Sequence, residues 1–249
     1  MAETAQLWQT YCGSAPEPAE LLSRWNFDPW LLAGIVAASI GYAALAGRER
    51  GRDGAFAALM LALLVLFVSP FCALSAALFT ARVLHHLALV FLVAPLLAAL
   101  MPAILRRVRG SLALWTALQA IVFWIWHAPG PYAAALSHDA LFWAMQVSIA
   151  VSSALWWRRL MRAQAADAVA NLLVAMVLMG LLGALLTFMP RPIYAPHFLT
   201  TQAWGLAPLE DQQIGGVLMW APGSLLYLIA ALTILSKRLF HRDAAGIAR

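Results

Sequence analysis

Charge is scarce in this chain. Asp, Glu, Lys and Arg together make up 11% of its 249 residues, and 63% are hydrophobic. A soluble domain carries about 25% charged residues, so a chain with so few cannot cover a water-facing surface. Cysteine is nearly absent: Cys12 and Cys72 stand sixty positions apart, which makes no metal or redox motif and predicts no disulfide framework. There is no H-E-x-x-H, no G-x-S-x-G, no transmembrane carboxylate pair and no phosphate-binding glycine loop. The expectation is therefore a protein that is not an enzyme. Alternating segments of about 10 residues, the mark of a membrane barrel, are also missing. Residues 1–28 lack the basic start and cleavable apolar run of a signal peptide, so the first span is expected to act as an uncleaved anchor.

What the chain does have is long apolar runs, with a mean hydropathy of +0.80. These predict an all-α polytopic membrane protein with seven transmembrane helices, at about residues 30–46, 55–77, 83–105, 112–126, 140–157, 168–188 and 214–235. A single helix over residues 55–105 would be roughly 75 Å long, more than twice the hydrocarbon thickness, so a turn is expected near Arg82. The organisation reads as an extracytoplasmic segment over 1–28, a seven-helix domain over 29–236 with a long outer loop at 189–213, and a basic tail over 237–249.

The basic residues orient this bundle. Arg48, Arg50 and Arg52 follow the first span, Arg106, Arg107 and Arg109 the third, and Arg158, Arg159 and Arg162 the fifth. Lys237, Arg238, Arg242 and Arg249 follow the seventh. Only Arg24, Arg82 and Arg191 fall on the other side. The positive-inside rule then predicts the N-terminus outside and the C-terminus in the cytoplasm. The net charge of +5 is thereby assigned to loops, and nucleic acid is not an expected partner.

This orientation collects the imidazoles. Five of the six histidines (His85, His86, His127, His138 and His197) lie toward the outer face, with Asp139, Glu210 and Asp211. Ionisable residues inside a membrane usually face the bundle interior and serve function, which favours His86 and, at the end of the fourth span, His127. Adjacent helical residues are about 100° apart, so one of His85 and His86 is expected to turn inward and the other to the interface. Arg82 is expected to snorkel to lipid headgroups or to pair with Asp211, and Trp124, Trp126 and Tyr132 to form an interfacial belt. The Pro-Gly-Pro run after His127 is expected to end the helix. Asp211 reads as a cap of the seventh span, with Gly215 and Gly216 allowing close helix approach and Met219 deeper on the Asp211 face. Imidazole and thioether suit copper, so His86, His127 and Met219 are the leading candidate ligands, with His85, His138 and Asp211 behind them. A haem-binding or quinone-linked electron carrier and a metal-free membrane scaffold remain open alternatives.

The runs ARVLHHLALVFLVAPLLAALMP, WHAPGPYAAAL, SSALWWRRL and DQQIGGVLMW occur in that order along the chain. Together they resemble the multispanning cytochrome c oxidase assembly factor family, the CtaG-like membrane proteins of caa-type oxidases. The resemblance implies a part in maturing a copper-containing terminal oxidase, with oxidase subunits or copper chaperones as partners. Where that family reads H-M-x-x-H, this chain reads Arg82-Val83-Leu84-His85-His86, so His86 matches the second histidine and Arg82 stands at the first. Near the fifth span, Phe142, Met145 and Gln146 stand where the family tends to carry histidines. His127, Tyr132, Asp211, Gln212, Gly216, Met219 and Trp220 match the pattern.

Overall fold

A computed structural model describes residues 8, 10–45, 50–100 and 109–247 of the chain. Arg48, Arg106, Arg107 and Arg249, on which part of the orientation argument rests, lie outside the described residues. Those that are described are helical, joined by turns and one long connection. Helix α1 is Pro29–Leu45 and α2 is Arg50–Leu63, which runs on through a π-helical turn at Leu64–Val68. Then follow α3 (Pro70–Ala77), α4 (Phe79–Leu100), α5 (Leu112–His127) and α6 (Pro129–Ala135). The chain closes with α7 (Asp139–Leu160), α8 (Ala165–Phe188) and α9 (Pro208–Ile247).

Four of these are long and apolar enough to cross a membrane: α4, α7, α8 and α9. Two bent pairs raise the number to six, α2 with α3 at 49° and α5 with α6 at 75°. α1 is a shorter apolar helix. The protein is thus a helical membrane protein with four to six candidate spans among the described residues, by length and composition.

Local chemistry explains each break. Pro70 cannot donate an amide, and the Ser69 hydroxyl accepts from the Phe71 amide while donating to the Val65 carbonyl, so α2 ends and α3 begins at one residue. The turn expected at Arg82 falls earlier, at Leu78, which is extended (φ −124°, ψ 130°). Arg82 therefore sits one turn inside α4. The Pro-Gly-Pro run does stop α5, yet it does not stay a turn. Pro129 starts α6 in the first-turn position that proline tolerates.

The most extensive helix pairing joins α8 and α9. Their glycines interlock: a Cβ on Gly216 would lie 2.5 Å from Thr187 Oγ1 and 2.7 Å from the Gly183 carbonyl oxygen, and one on Gly183 2.6 Å from the Gly216 carbonyl oxygen. Only residues without side chains let two backbones come this close. Gly215 faces the other way, toward the Phe79 ring and Val83 of α4.

Tryptophans tie the remaining helices together, and of the residues expected in an interfacial belt Tyr132 lies in the interior instead. Trp124 Nε1 donates to the Leu178 carbonyl and Trp126 Nε1 to Ser148 Oγ. Trp157 Nε1 donates to the Val90 carbonyl within the π-helical stretch Leu89–Val93 of α4. Tyr132 is wholly buried. The end of α4 remote from Phe79 is met by Arg52 and Arg158, whose guanidinium groups donate to the carbonyls of Leu100 and Ala98. Basic groups at orphan C-terminal carbonyls stabilise a helix end. These two arginines therefore share one end of the bundle, as their loops predict.

The N-terminal segment contradicts the reading of the cysteines. Cys12 and Cys72 form a disulfide that fastens this segment to α3. Sixty residues of separation give no local motif, so only the tertiary fold shows that the two sulfurs meet.

Candidate functional site

The first turns of α4 place Arg82, His85 and His86 inside the protein, all three without solvent exposure. Both histidines point inward, against the expectation that one would face the interface. The 100° between them is used to reach two different walls. The His85 ring meets Phe67 at 5.0 Å and Phe71 at 6.0 Å, on the α2–α3 side. His86 turns to α5, with its ring centre 5.1 Å from that of His127.

His86 Nδ1 and His127 Nε2 are 3.4 Å apart. The last turn of α5 sets the chemistry of this pair. His127 Nδ1 lies 2.7 Å from the Phe123 carbonyl, which can only accept, so Nδ1 carries the proton and Nε2 presents its lone pair to His86. His86 Nε2, both nitrogens of His85, and the Gln146 side-chain amide find no hydrogen-bond partner among the described residues. Buried polar atoms are rarely left without a partner, so this group is the least satisfied polar part of the described interior.

Arg82 neither snorkels nor pairs with Asp211. Its Nε donates to the Ser75 carbonyl at 3.2 Å, and its guanidinium lies over the Phe142 ring, 5.3 Å from the centroid. No Arg82–Asp211 ion pair exists among the described residues. Phe142, Met145 and Gln146 on α7 are all buried, so the three residues standing where the family carries histidines form part of the packed interior.

Asp211 is buried and caps a helix, though not its own. Its carboxylate accepts from the Phe79 amide at 2.6 Å and the Thr80 amide at 3.0 Å, and its carbonyl accepts from Thr80 Oγ1 at 2.9 Å. Leu78, at the N-cap of α4, has no side chain able to do this. A carboxylate from α9 therefore satisfies the free amides that begin α4, where the helix dipole favours it. Gln212, beside it, accepts from the Ile193 amide and donates to the carbonyls of Leu186 and Arg191, closing the turn after α8.

The remaining candidates lie on α7 and α9. Met219 is buried on α9, its Cβ next to Gly183 of α8. Trp220 is 43% exposed and meets Phe188 edge-on. His138, exposed at the start of α7, takes no part in the cluster.

Two contributors were not singled out in the sequence, and both come from the connection between α8 and α9. Tyr194 stacks on Phe79 at 4.1 Å and donates to the His127 carbonyl at 2.7 Å. His197 Nδ1 faces the Ala77 carbonyl at 3.3 Å, and its Nε2 accepts from the Tyr132 hydroxyl at 2.6 Å. Thr200 Oγ1 also donates to Ala77. The loop thus satisfies carbonyls at the ends of α3 and α5 and closes the imidazole cluster. Burial, reinforced by the Arg82 charge, pushes the His197 imidazole down to about 3, so it is neutral wherever the loop is docked. The available signal was its being one of five histidines on one side, in a loop dense with aromatics.

Fold and site define a class: a multi-helix membrane protein enclosing an imidazole pair under a docked loop. The family model for cytochrome c oxidase caa3 assembly factors matches residues 37–239, and the chain belongs to that family. No curated protein and no solved structure matches it.

Proposed function

We propose that the protein serves maturation of a haem–copper cytochrome c oxidase by holding or passing copper on the outer side of a bacterial plasma membrane, a non-catalytic role. His86 Nδ1 and His127 Nε2 are the nitrogen donors of this reading, and Met219 is the candidate thioether. Oxidase subunits or copper chaperones are the partners, and the seven-span arrangement with the N-terminus outside is part of the reading.

The observation that carries it is the 3.4 Å spacing of the two imidazole nitrogens. Two bonds of ~2.0 Å to one ion at a tetrahedral angle require nitrogens about 3.3 Å apart. An iron between opposed histidines, as in haem, requires about 4 Å, so the spacing favours a small ion over haem. The Phe123 carbonyl orients His127 in the way that metal-bound histidines are held.

Among the described residues, no three His, Cys, Asp or Glu side chains gather as a ligand set. Any third donor therefore comes from outside those types, and thioether suits the cuprous ion. Arg82 lies one helical turn before His85 and His86 and is buried with them. A fixed positive charge penalises a doubly charged ion more than a singly charged one, which again favours the cuprous state. The Cys12–Cys72 disulfide supports the outer placement, since such bonds persist in oxidising compartments.

Titration of the purified protein with cuprous ion in competition with a chromogenic chelator tests this. One equivalent should bind with micromolar or better affinity, and His86→Ala and His127→Ala should each weaken it at least tenfold. Equal binding by all three proteins would reject the site.

A further inference from the structure

Helix α1 takes no part in the extensive helix pairings, and a cavity of about 510 Å³ separates it from the bundle. That volume falls in the range of small-molecule sites, ~300–1,000 Å³. Its length follows α1 from Asp28 to Ala38, about 15 Å at the helical rise. The long walls are apolar, with Leu31, Ile35 and Ala38 on one side and Met60 and Leu63 on the other.

One end differs. Tyr11, Phe67 and Trp143 meet there, the Tyr11 ring edge-on to Trp143 at 5.0 Å and Phe67 stacked on Trp143 at 5.2 Å. Asp28 lies beside them. One of its oxygens accepts from the Leu31 amide at 2.8 Å, and its carboxylate acts on the Tyr11 phenol, as does that of Asp139. Burial first, and then Asp28, pushes that phenol up to about 12, so it remains neutral. No cation pairs with Asp28 among the described residues. Aromatic faces beside a carboxylate that has no cation partner are the recognition chemistry of an ammonium group. The same carboxylates repel an anionic headgroup.

We propose that this cavity binds an amine-headed phospholipid, its ammonium group held by Asp28, Tyr11 and Trp143 and one acyl chain lying along residues 31–38 and 60–63. Such a lipid joins α1 to a bundle that it otherwise barely touches. It also lies one ring away from the imidazole cluster, since Phe67 lines the cavity and packs against His85.

The test uses full-length protein in bilayers of equal phosphatidylethanolamine and phosphatidylglycerol. It is extracted in mild detergent, and the retained lipid is quantified by mass spectrometry. Wild type should retain the ethanolamine lipid over the glycerol lipid by about fivefold. Asp28→Asn keeps the cap to Leu31, because asparagine serves as well there, and should erase the preference. Gly34 lines the cavity and has open space at its Cβ, so Gly34→Leu should fill it and reduce retention of both lipids. Circular dichroism checks that each variant is folded. Equal retention of the two lipids by wild type, or a preference untouched by Asp28→Asn, would overturn the proposal.

Discussion

Replacing Asp211 with alanine removes the carboxylate that starts α4, and its cost can be worked from the hydrogen bonds. The buried Phe79 amide and the partly buried Thr80 amide lose their acceptors, held at 2.6 and 3.0 Å. Leaving a buried donor unsatisfied costs about 1–3 kcal/mol, so the pair amounts to at most ~2–6 kcal/mol. For a chain of this size, 1 kcal/mol lowers Tm by about 2–4 °C, which gives a fall of roughly 4–24 °C. Asp211→Asn keeps one acceptor oxygen and loses the charge at the helix start, so its fall should be less than half as large. Thermal unfolding of the detergent-solubilised variants reads both values. Because His85 and His86 lie within the two turns that follow, Asp211→Ala should also weaken cuprous binding by loosening the start of α4. An alanine variant unfolding within 1 °C of wild type would show that water satisfies these amides and that the cross-helix cap is unimportant.

Other consequences follow from the same geometry. His197 is neutral when docked and titrates near 6.5 when released, so loop docking is at full strength above about pH 6.5 and weakens as pH falls toward 3. Between pH 7.5 and 5 the loss is about 2 kcal/mol, or roughly 30-fold more frequent opening, readable as faster hydrogen exchange over residues 193–201. His197→Gln should flatten that dependence. The Cys12–Cys72 disulfide closes a loop of about sixty residues, and the chain-entropy relation gives it ~4 kcal/mol, so Cys12→Ser with Cys72→Ser should lower Tm measurably. Gly216→Ala places a methyl against the α8 backbone and should cost about 1–3 kcal/mol or more, whereas alanine at Gly41, with open space around it, should cost nothing of this kind.

Much of this architecture was legible in the sequence because the membrane imposes a simple rule: apolar runs become helices. The runs over residues 112–126, 140–157 and 168–188 match α5, α7 and α8 to within a few residues. His86 and His127 were legible as partners because both are ionisable groups at one end of apolar spans. The failures share a cause, which is that they depend on what is packed opposite. Arg82 looked exposed to headgroups because nothing nearby in sequence pairs with it, whereas its partners are Ser75 across the Leu78 break and Phe142 on α7. Asp211 looked like a cap of its own helix because first-turn acids usually are, yet its amides belong to a chain segment 131 and 132 residues away. The loop carrying Tyr194 and His197 has no periodicity to read, and its role appears only where α3 and α5 leave carbonyls unpaired. Residues 55–77 likewise showed hydropathy but not the bend at Ser69, which arises from a proline and a hydroxyl that are too ordinary to mark a break alone.

The central claim, that the His86–His127 pair holds copper, is tested most directly by X-ray absorption of protein loaded with one equivalent of cuprous ion. It predicts two imidazole nitrogens at about 2.0 Å, both lost from the spectrum in the His86→Ala, His127→Ala double variant. Copper surrounded by sulfur alone, or a spectrum the double variant leaves unchanged, would contradict it.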